Sequence, residues 1–249
     1  MPTMYFEPRA KGAPASGENS FMPAYAYDNA EAIAVREAPL YEEVPVRSGL
    51  YRAGGKRLLD VLLVLISAPA VLLILLPMAL LVACDGSNPF YTQMRVGLNG
   101  RIYRMWKLRS MVPDAEARLK THLAEDPEAR AEWDHHQKLK NDPRITRVGR
   151  ILRKCSLDEL PQLWNVLRGD MSLVGPRPMM EDQRAFYPAK DYYALRPGIT
   201  GLWQVSARNE SAFSDRAHFD TDYNRRLSLK EDAKILVATV GVVVKGTGH

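Results

Sequence analysis

Between Leu58 and Ala83 the chain runs for 26 residues with only Asp60 and Ser67 as polar interruptions. Nothing else in the sequence restricts the fold so strongly. A core helix of a water-soluble domain shows a polar face, and this run has scarcely any. As a straight helix it reaches about 39 Å, enough to cross a bilayer. Membrane contact is therefore close to forced, and the open matter is geometry. Pro69 and Pro77 each remove a helix hydrogen bond and clash with the preceding turn, but spanning helices tolerate proline. These residues alone favour a kinked single span over a segment that dips in and returns. The flanks argue the other way. Lys56 and Arg57 precede the run, and Arg95, Arg101, Arg104, Lys107 and Arg109 follow it, so both ends suit the cytoplasmic leaflet. A hairpin satisfies that symmetry; a straight span does not.

Charge separates the rest. The 34 Lys/Arg and 29 Asp/Glu give a net of +5, but residues 1–50 hold four Lys/Arg against seven Asp/Glu, a net of −3, which leaves +8 for residues 51–249. Residues 1–50 are rich in Ala, Pro, Glu and Gly with no sustained apolar period, and are expected to be a disordered tail. No signal peptide is expected, since no apolar run follows a basic cluster at the start. The basic remainder suits anionic lipid, nucleotide phosphates or nucleic acid. Two cysteines, Cys84 and Cys155, exclude a disulfide framework or a cysteine zinc site. The five histidines show no HExxH or other metal spacing, and no P-loop, GxGxxG or GxSxG is present.

From Asp85 onward the pattern is that of a mixed α/β, mostly helical domain. Short strands are predicted at 90–93 and 102–106 around the Gly97-Leu98-Asn99-Gly100 turn. Helices are predicted at 114–126 and 128–140, divided by Pro127. A basic amphipathic stretch runs from Arg144 to Lys154, with Ile145, Val148, Ile151 and Leu152 on one face. A helix over 157–168 places Leu160, Leu163, Trp164 and Leu167 together and ends at Gly169. Stiff loops follow at Val174-Gly175-Pro176-Arg177-Pro178 and Arg196-Pro197-Gly198. A last apolar helix near 230–245 is too short to span and packs on the domain or lies at the interface.

The chemistry concentrates at Asp158 and Glu159, with Arg150, Arg153 and Lys154 just upstream. Ser156 followed by Glu159 is a capping-box pattern, which alone accounts for the carboxylates. Pro161 complicates that reading: with Asp158 as the N-cap instead, the proline falls in the first turn and costs no bond. Backbone N–H groups and basic side chains there keep the acid ionised, and an ionised aspartate can attack phosphorus. Asp158 and Glu159 are also the candidate ligands for Mg²⁺, which prefers carboxylate and phosphate oxygens. Arg177, fixed between two prolines, can grip phosphate by paired hydrogen bonds; Arg153, Arg196 and Arg208 admit the same reading, or that of surface ion pairs. Trp203 and Gln204 supply the materials of a uracil pocket, or of a packed turn around a core tryptophan.

Several strings, taken in order, resemble the bacterial sugar transferases, the monotopic phosphoglycosyl transferases: Lys56-Arg57-Leu58-Leu59-Asp60, Arg95-Val96-Gly97, Trp106-Lys107-Leu108-Arg109-Ser110-Met111, the run from Ser156 to Leu167, the run from Gly169 to Pro178, and the run from Arg196 to Val205. The resemblance implies transfer of a sugar-1-phosphate from a UDP-sugar to undecaprenyl phosphate. UMP is released, and the reaction passes through a covalent aspartyl phosphosugar with Mg²⁺. On it Asp158 is the nucleophile, Glu159 completes the dyad, and Arg153 and Arg177 lie near the phosphates. Asp220 matches a family acidic position, although Asp220-Thr221-Asp222-Tyr223 departs from the usual string. The resemblance also implies a monotopic protein. A re-entrant helix-break-helix over 52–84 breaks at Ser67-Ala68-Pro69 or at Pro77, and a small catalytic domain over 85–249 faces the cytoplasm at the bacterial inner membrane. The short form is similar to exopolysaccharide-initiating galactose or glucose phosphotransferases, without the four extra spanning helices of larger relatives. Membrane lipids are expected partners and nucleic acid is not; a homo-oligomer is compatible. A non-catalytic membrane scaffold and a diphosphate hydrolase are the competing readings.

Overall fold

The computed structural model describes residues 49–136, 139–206 and 213–244. Most of the expected tail, and Arg208, lie outside the described residues. A π-helical turn over Tyr51–Gly55 leads into α1, Lys56–Ala83, one helix with Pro69 and Pro77 inside it. The expected break at Ser67 and Pro69 is not a gap in the helix. Each proline removes one N–H while its neighbours keep theirs, and Ser67 Oγ donates to the Val64 carbonyl at 3.1 Å. The helix is apolar and mostly unburied: Ile66 is 76% and Leu73 77% exposed.

Both ends of α1 dock on the rest of the chain. At the start, Arg57 donates to the Val166 and Leu167 carbonyls. Asp60 accepts from Ser172 Oγ at 2.7 Å and from the Leu173 N–H at 3.2 Å, and Val64 joins a cluster with Tyr103, Met105, Val166 and Met171. At the far end, Ala79 and Val82 pack with Leu108 and Leu152. There Arg109 donates to the Val82 carbonyl at 3.1 Å and grips both oxygens of Asp85, at 2.6 and 2.7 Å.

Strands β1 (Phe90–Val96) and β2 (Ile102–Leu108) form an antiparallel hairpin in which Gln93 faces Met105. Its turn places Asn99 at φ 56°, a left-handed value that asparagine tolerates. Helices α2 (Ala115–Glu125) and α3 (Pro127–His136) follow, close to the predicted spans. The basic stretch forms α4, Arg147–Lys154, capped by Thr146, whose hydroxyl accepts from the Gly149 N–H at 2.8 Å. Its apolar face is narrower than predicted. Leu152 is buried, Ile151 is 61% exposed, and Ile145 lies before the helix in a bridge to Met111.

The predicted helix over 157–168 divides into a 3₁₀ turn, Leu157–Glu159, and α5, Gln162–Arg168. Neither Ser156 nor Asp158 caps α5; Pro161 stands at that position without a side-chain bond. A proline there gives up no helical N–H, so the acids are released to a turn of their own. Gly169 ends α5 at φ 87°, as its position predicted. Strands β3 (Ser172–Val174) and β4 (Gly198–Thr200) pair in parallel, Ser172 with Gly198 and Val174 with Thr200. Helices α6 (Leu202–Ser206), α7 (Arg216–Arg226) and α8 (Leu229–Val244) complete the described chain. α8 buries Ile235 and turns Val237 and Val240 outward, consistent with packing on the domain along one side.

Candidate active site

Asp158 lies in the 3₁₀ turn that links α4 to α5. Ser156 opens this turn at φ 55°, ψ 23°, a left-handed conformation costing a non-glycine residue roughly 1–2 kcal/mol. Strain of this kind persists where surrounding packing dictates it. The turn delivers Asp158 and Glu159 to a cleft of about 610 Å³ that Lys107, Ser110, Arg153 and Arg177 also line.

Each neighbour has a structural reason for its place. Lys107 follows Tyr103 and Met105 on the inward side of β2, at the end of the strand. Its Nζ stands 2.9 Å from Glu159 Oε1 and 3.9 Å from Asp158 Oδ2. The spacing between β2 and the acidic turn is fixed by Asn165. This fully buried residue accepts from the Trp106 N–H at 3.0 Å and donates to the Arg104 carbonyl at 2.7 Å. Arg153, on α4, donates through Nε to Ser110 Oγ at 2.9 Å. α4 reaches Ser110 because residue 149 is glycine: a Cβ there would lie 1.9 Å from the Ser110 carbonyl oxygen. Gly175 and Gly201 do the same for the two proline-rich loops. A Cβ on Gly175 would stand 2.2 Å from the Arg196 oxygen, and one on Gly201 2.0 Å from the Gly175 oxygen. Backbone-to-backbone packing there places Arg177 over the cleft.

The electrostatics depart from the sequence reading. Burial pushes the Asp158 carboxyl above the ordinary carboxylate range, and Glu159 adds to the rise. Lys107 and Arg153 pull it back only in part. The expectation that surrounding N–H groups and cations hold this acid fully ionised therefore underrated desolvation, which disfavours the charged form.

A second, apolar cavity of about 250 Å³ adjoins the cleft; Ser156, Glu159 and Arg177 line both. Leu160, Leu163 and Val242 form part of its wall, and Gln204 enters it. Gln204 donates to the Ile199 carbonyl at 3.1 Å, while its Oε1 is buried with no partner among the described residues. Trp203 is 6% exposed and lines neither cavity. It serves as a platform for two guanidiniums, Arg216 at 4.3 Å and Arg177 at 5.8 Å from the ring centre. Arg196 is not in the cleft: it donates to the Gly169 carbonyl at 3.0 Å and lines another cavity. Arg208 lies outside the described residues.

Among the described residues no three His, Cys, Asp or Glu side chains converge. The donor set at the cleft is two adjacent carboxylates, which fits Mg²⁺ held partly by substrate phosphates and not by a protein cage. Sequence reasoning missed Lys107, Ser110 and Asn165 as site residues. A period-two reading of β2 carries a signal for the first, since it sets a lysine in line with two buried residues. Nothing local marks the other two.

The chain belongs to the bacterial sugar transferase family, whose pattern it matches over residues 51–246. It is 50% identical over 190 residues to a UDP-galactose-lipid carrier transferase of Erwinia amylovora, a match covering 74% of this chain and 40% of that protein. It is 52% identical over 166 residues to an undecaprenyl-phosphate galactose phosphotransferase of Salmonella typhimurium, covering 66% of this chain and 35% of that protein. The match with the exopolysaccharide production protein ExoY of Sinorhizobium fredii is 41% over 221 residues, 86% of this chain and 98% of that protein. The chain thus spans well under half the length of the two enterobacterial relatives.

Proposed function

We propose that this protein transfers a sugar-1-phosphate from a UDP-hexose to undecaprenyl phosphate, the first membrane step in building a polysaccharide or glycoconjugate. The observation that carries this reading is Asp158 on the floor of a cleft whose Lys107, Arg153 and Arg177 converge where a diphosphate would lie. In the first half-step an Asp158 carboxylate oxygen bonds to the phosphorus bearing the sugar. The bond from that phosphorus to the bridging oxygen breaks, and UMP leaves with the electron pair. In the second, an oxygen of the lipid phosphate bonds to the same phosphorus and the aspartyl bond breaks, restoring the carboxylate. Arg153 and Arg177 orient the phosphates by charge-assisted hydrogen bonds. Asp158 and Glu159 would hold a Mg²⁺ ion, which would supply charge neutralisation to the phosphates. Arg177 lines the apolar cavity as well as the cleft, which suits an acceptor with a phosphate head and an isoprenoid body.

The same reading places the protein on the cytoplasmic face of the inner membrane, with α1 entering and leaving by one leaflet around a bend at Pro69 or Pro77. A helix crossing the bilayer carries its far end about 30 Å from the first. Here Arg57 and Arg109 tie the two ends to one small domain, which supports a one-sided geometry. Mass spectrometry of protein mixed with Mg²⁺ and UDP-hexoses, rapidly quenched, tests the chemistry. A phosphohexose on Asp158, with UMP released before lipid is added, is the expected result. Inert Asp158→Asn also separates it from a scaffold, and dependence of turnover on undecaprenyl phosphate separates it from a hydrolase.

A further inference from the structure

A cavity of about 600 Å³ opens at the root of α1 and shares no lining residue with the catalytic cleft. Four cations line it: Arg52, Lys56, Arg57 and Arg196. Lys56 pairs with Asp232 at 2.5 Å. The three arginines spend their bonds on uncharged groups. Arg57 donates to the Val166 and Leu167 carbonyls, Arg196 to the Gly169 carbonyl, and Arg52 to the Asn224 side-chain and backbone oxygens. Arg52 Nε is buried with no partner among the described residues. The carboxylates nearby are otherwise engaged: Asp60 accepts from Ser172 and Leu173, and Asp191 accepts from Asn224 behind Arg52. Four cations against Asp60, Asp191 and Asp232 leave an excess of one positive charge, which a singly charged phosphodiester balances.

The apolar part of the cavity indicates where such a group comes from. Leu58 lines it and is 62% exposed. Leu62 and Leu65, also exposed, follow at the four- and seven-residue spacing that stacks side chains on one helix face. A stripe of bare leucine therefore leads from the cationic cavity along α1. Free phosphate has no use for that stripe, whereas a lipid uses both parts.

We propose that this cavity binds the phosphodiester of an anionic phospholipid, with an acyl chain along Leu58, Leu62 and Leu65, anchoring the root of α1 at the bilayer surface. The proposal rests on the membrane reading above. It is tested on the full chain in mixed phosphatidylcholine–phosphatidylglycerol nanodiscs, counting lipids that stay bound in native mass spectrometry. The wild type is expected to retain one phosphatidylglycerol in preference to phosphatidylcholine. The Arg52→Gln/Arg196→Gln variant should retain it about tenfold or more weakly, while Arg168→Gln, an exposed arginine outside the cavity, retains it as wild type. Equal retention of both lipids, or retention unaffected by the double change, overturns the proposal. Competition on the wild type does not depend on the variant folding. Short-chain phosphatidylglycerol should displace the bound lipid, and inorganic phosphate should not; displacement by phosphate alone, or by undecaprenyl phosphate in preference, overturns it. Flotation on liposomes separates the two readings: protein that floats but retains no phosphatidylglycerol defeats this inference alone, and protein that does not float defeats the membrane reading with it.

Discussion

Lys107 holds Glu159 in an ion pair of 2.9 Å while its ammonium stands 3.9 Å from Asp158. The lysine thus leans on the second acid and acts on the first through space. Asp158, poorly solvated, feels that charge strongly, because nearby charges weigh more where water is scarce. The arrangement leaves Asp158 without a direct hydrogen bond from the lysine.

Replacing Lys107 with Met should therefore move the Asp158 titration, not merely lower the rate. Attack requires the carboxylate, so UMP release rises with pH through the Asp158 pKa, which burial already sets above the ordinary carboxylate range. Lys107 opposes that rise. Its loss should displace the ascending limb of the kcat/KM profile to higher pH and cost about 10²-fold at neutral pH. A variant slow by the same factor at every pH contradicts this role.

Asp158→Asn should abolish UMP release, by about 10³-fold or more, and at the same time raise the melting temperature at neutral pH. A carboxyl whose folded pKa is raised favours the fold below its unfolded value, and that contribution is lost as pH rises through the folded value. At pH 7 the buried charge is a burden that asparagine lifts. The gain in melting temperature over wild type should shrink as the pH is brought down toward 4. A variant less stable than wild type at pH 7 contradicts the assigned burial effect.

Much of this fold is legible locally, and what escapes is the long-range part. The hairpin around Gly97 and Gly100, the end of α5 at Gly169 and the start of α3 at Pro127 follow from residues beside them in sequence. The acidic dyad is legible as chemistry but not as geometry: a capping-box pattern at Ser156 gave way to a left-handed turn because Pro161 takes the helix start. Arg196 and Arg177 each precede a proline, yet one closes on the Gly169 carbonyl and the other lines the cleft. Only the close approach of Gly175 to Arg196 separates them, a contact across some twenty residues that no local pattern encodes.

Gly149→Ala probes one such contact. The added methyl group would lie 1.9 Å from the Ser110 carbonyl oxygen and 2.7 Å from its carbon. These are backbone atoms that no rotamer change can move. α4 must shift away from the end of β2, carrying Arg153 from its bond with Ser110. A loss of about 2–3 kcal/mol in denaturant unfolding is expected, with UMP release falling even in the folded fraction. Arg147→Ala, on the exposed side of the same helix, should change stability little.

The one-sided path proposed for α1 is open to labelling. In a chain with Cys84 and Cys155 replaced by Ser, single cysteines at positions 45 and 120 should react with a membrane-impermeant thiol reagent from the same side of inverted vesicles. A cysteine at Leu73, 77% exposed on the helix, should resist that reagent until detergent is added. Labelling of 45 and 120 from opposite sides would establish a full span instead.

Asp220 offers a pH dependence separate from the reaction. Burial raises its carboxyl to about 7, and the Tyr187 hydroxyl donates to it at 2.6 Å. The sign follows from the raised value: the contribution to stability is full below the unfolded pKa of about 4 and is lost as pH rises through about 7. The melting temperature of the wild type should therefore decline across that interval more steeply than that of Asp220→Asn, whose amide oxygen still accepts from Tyr187 and whose charge does not change. Parallel melting curves for the two proteins from pH 5 to pH 8 would contradict a carboxyl raised to about 7 by burial.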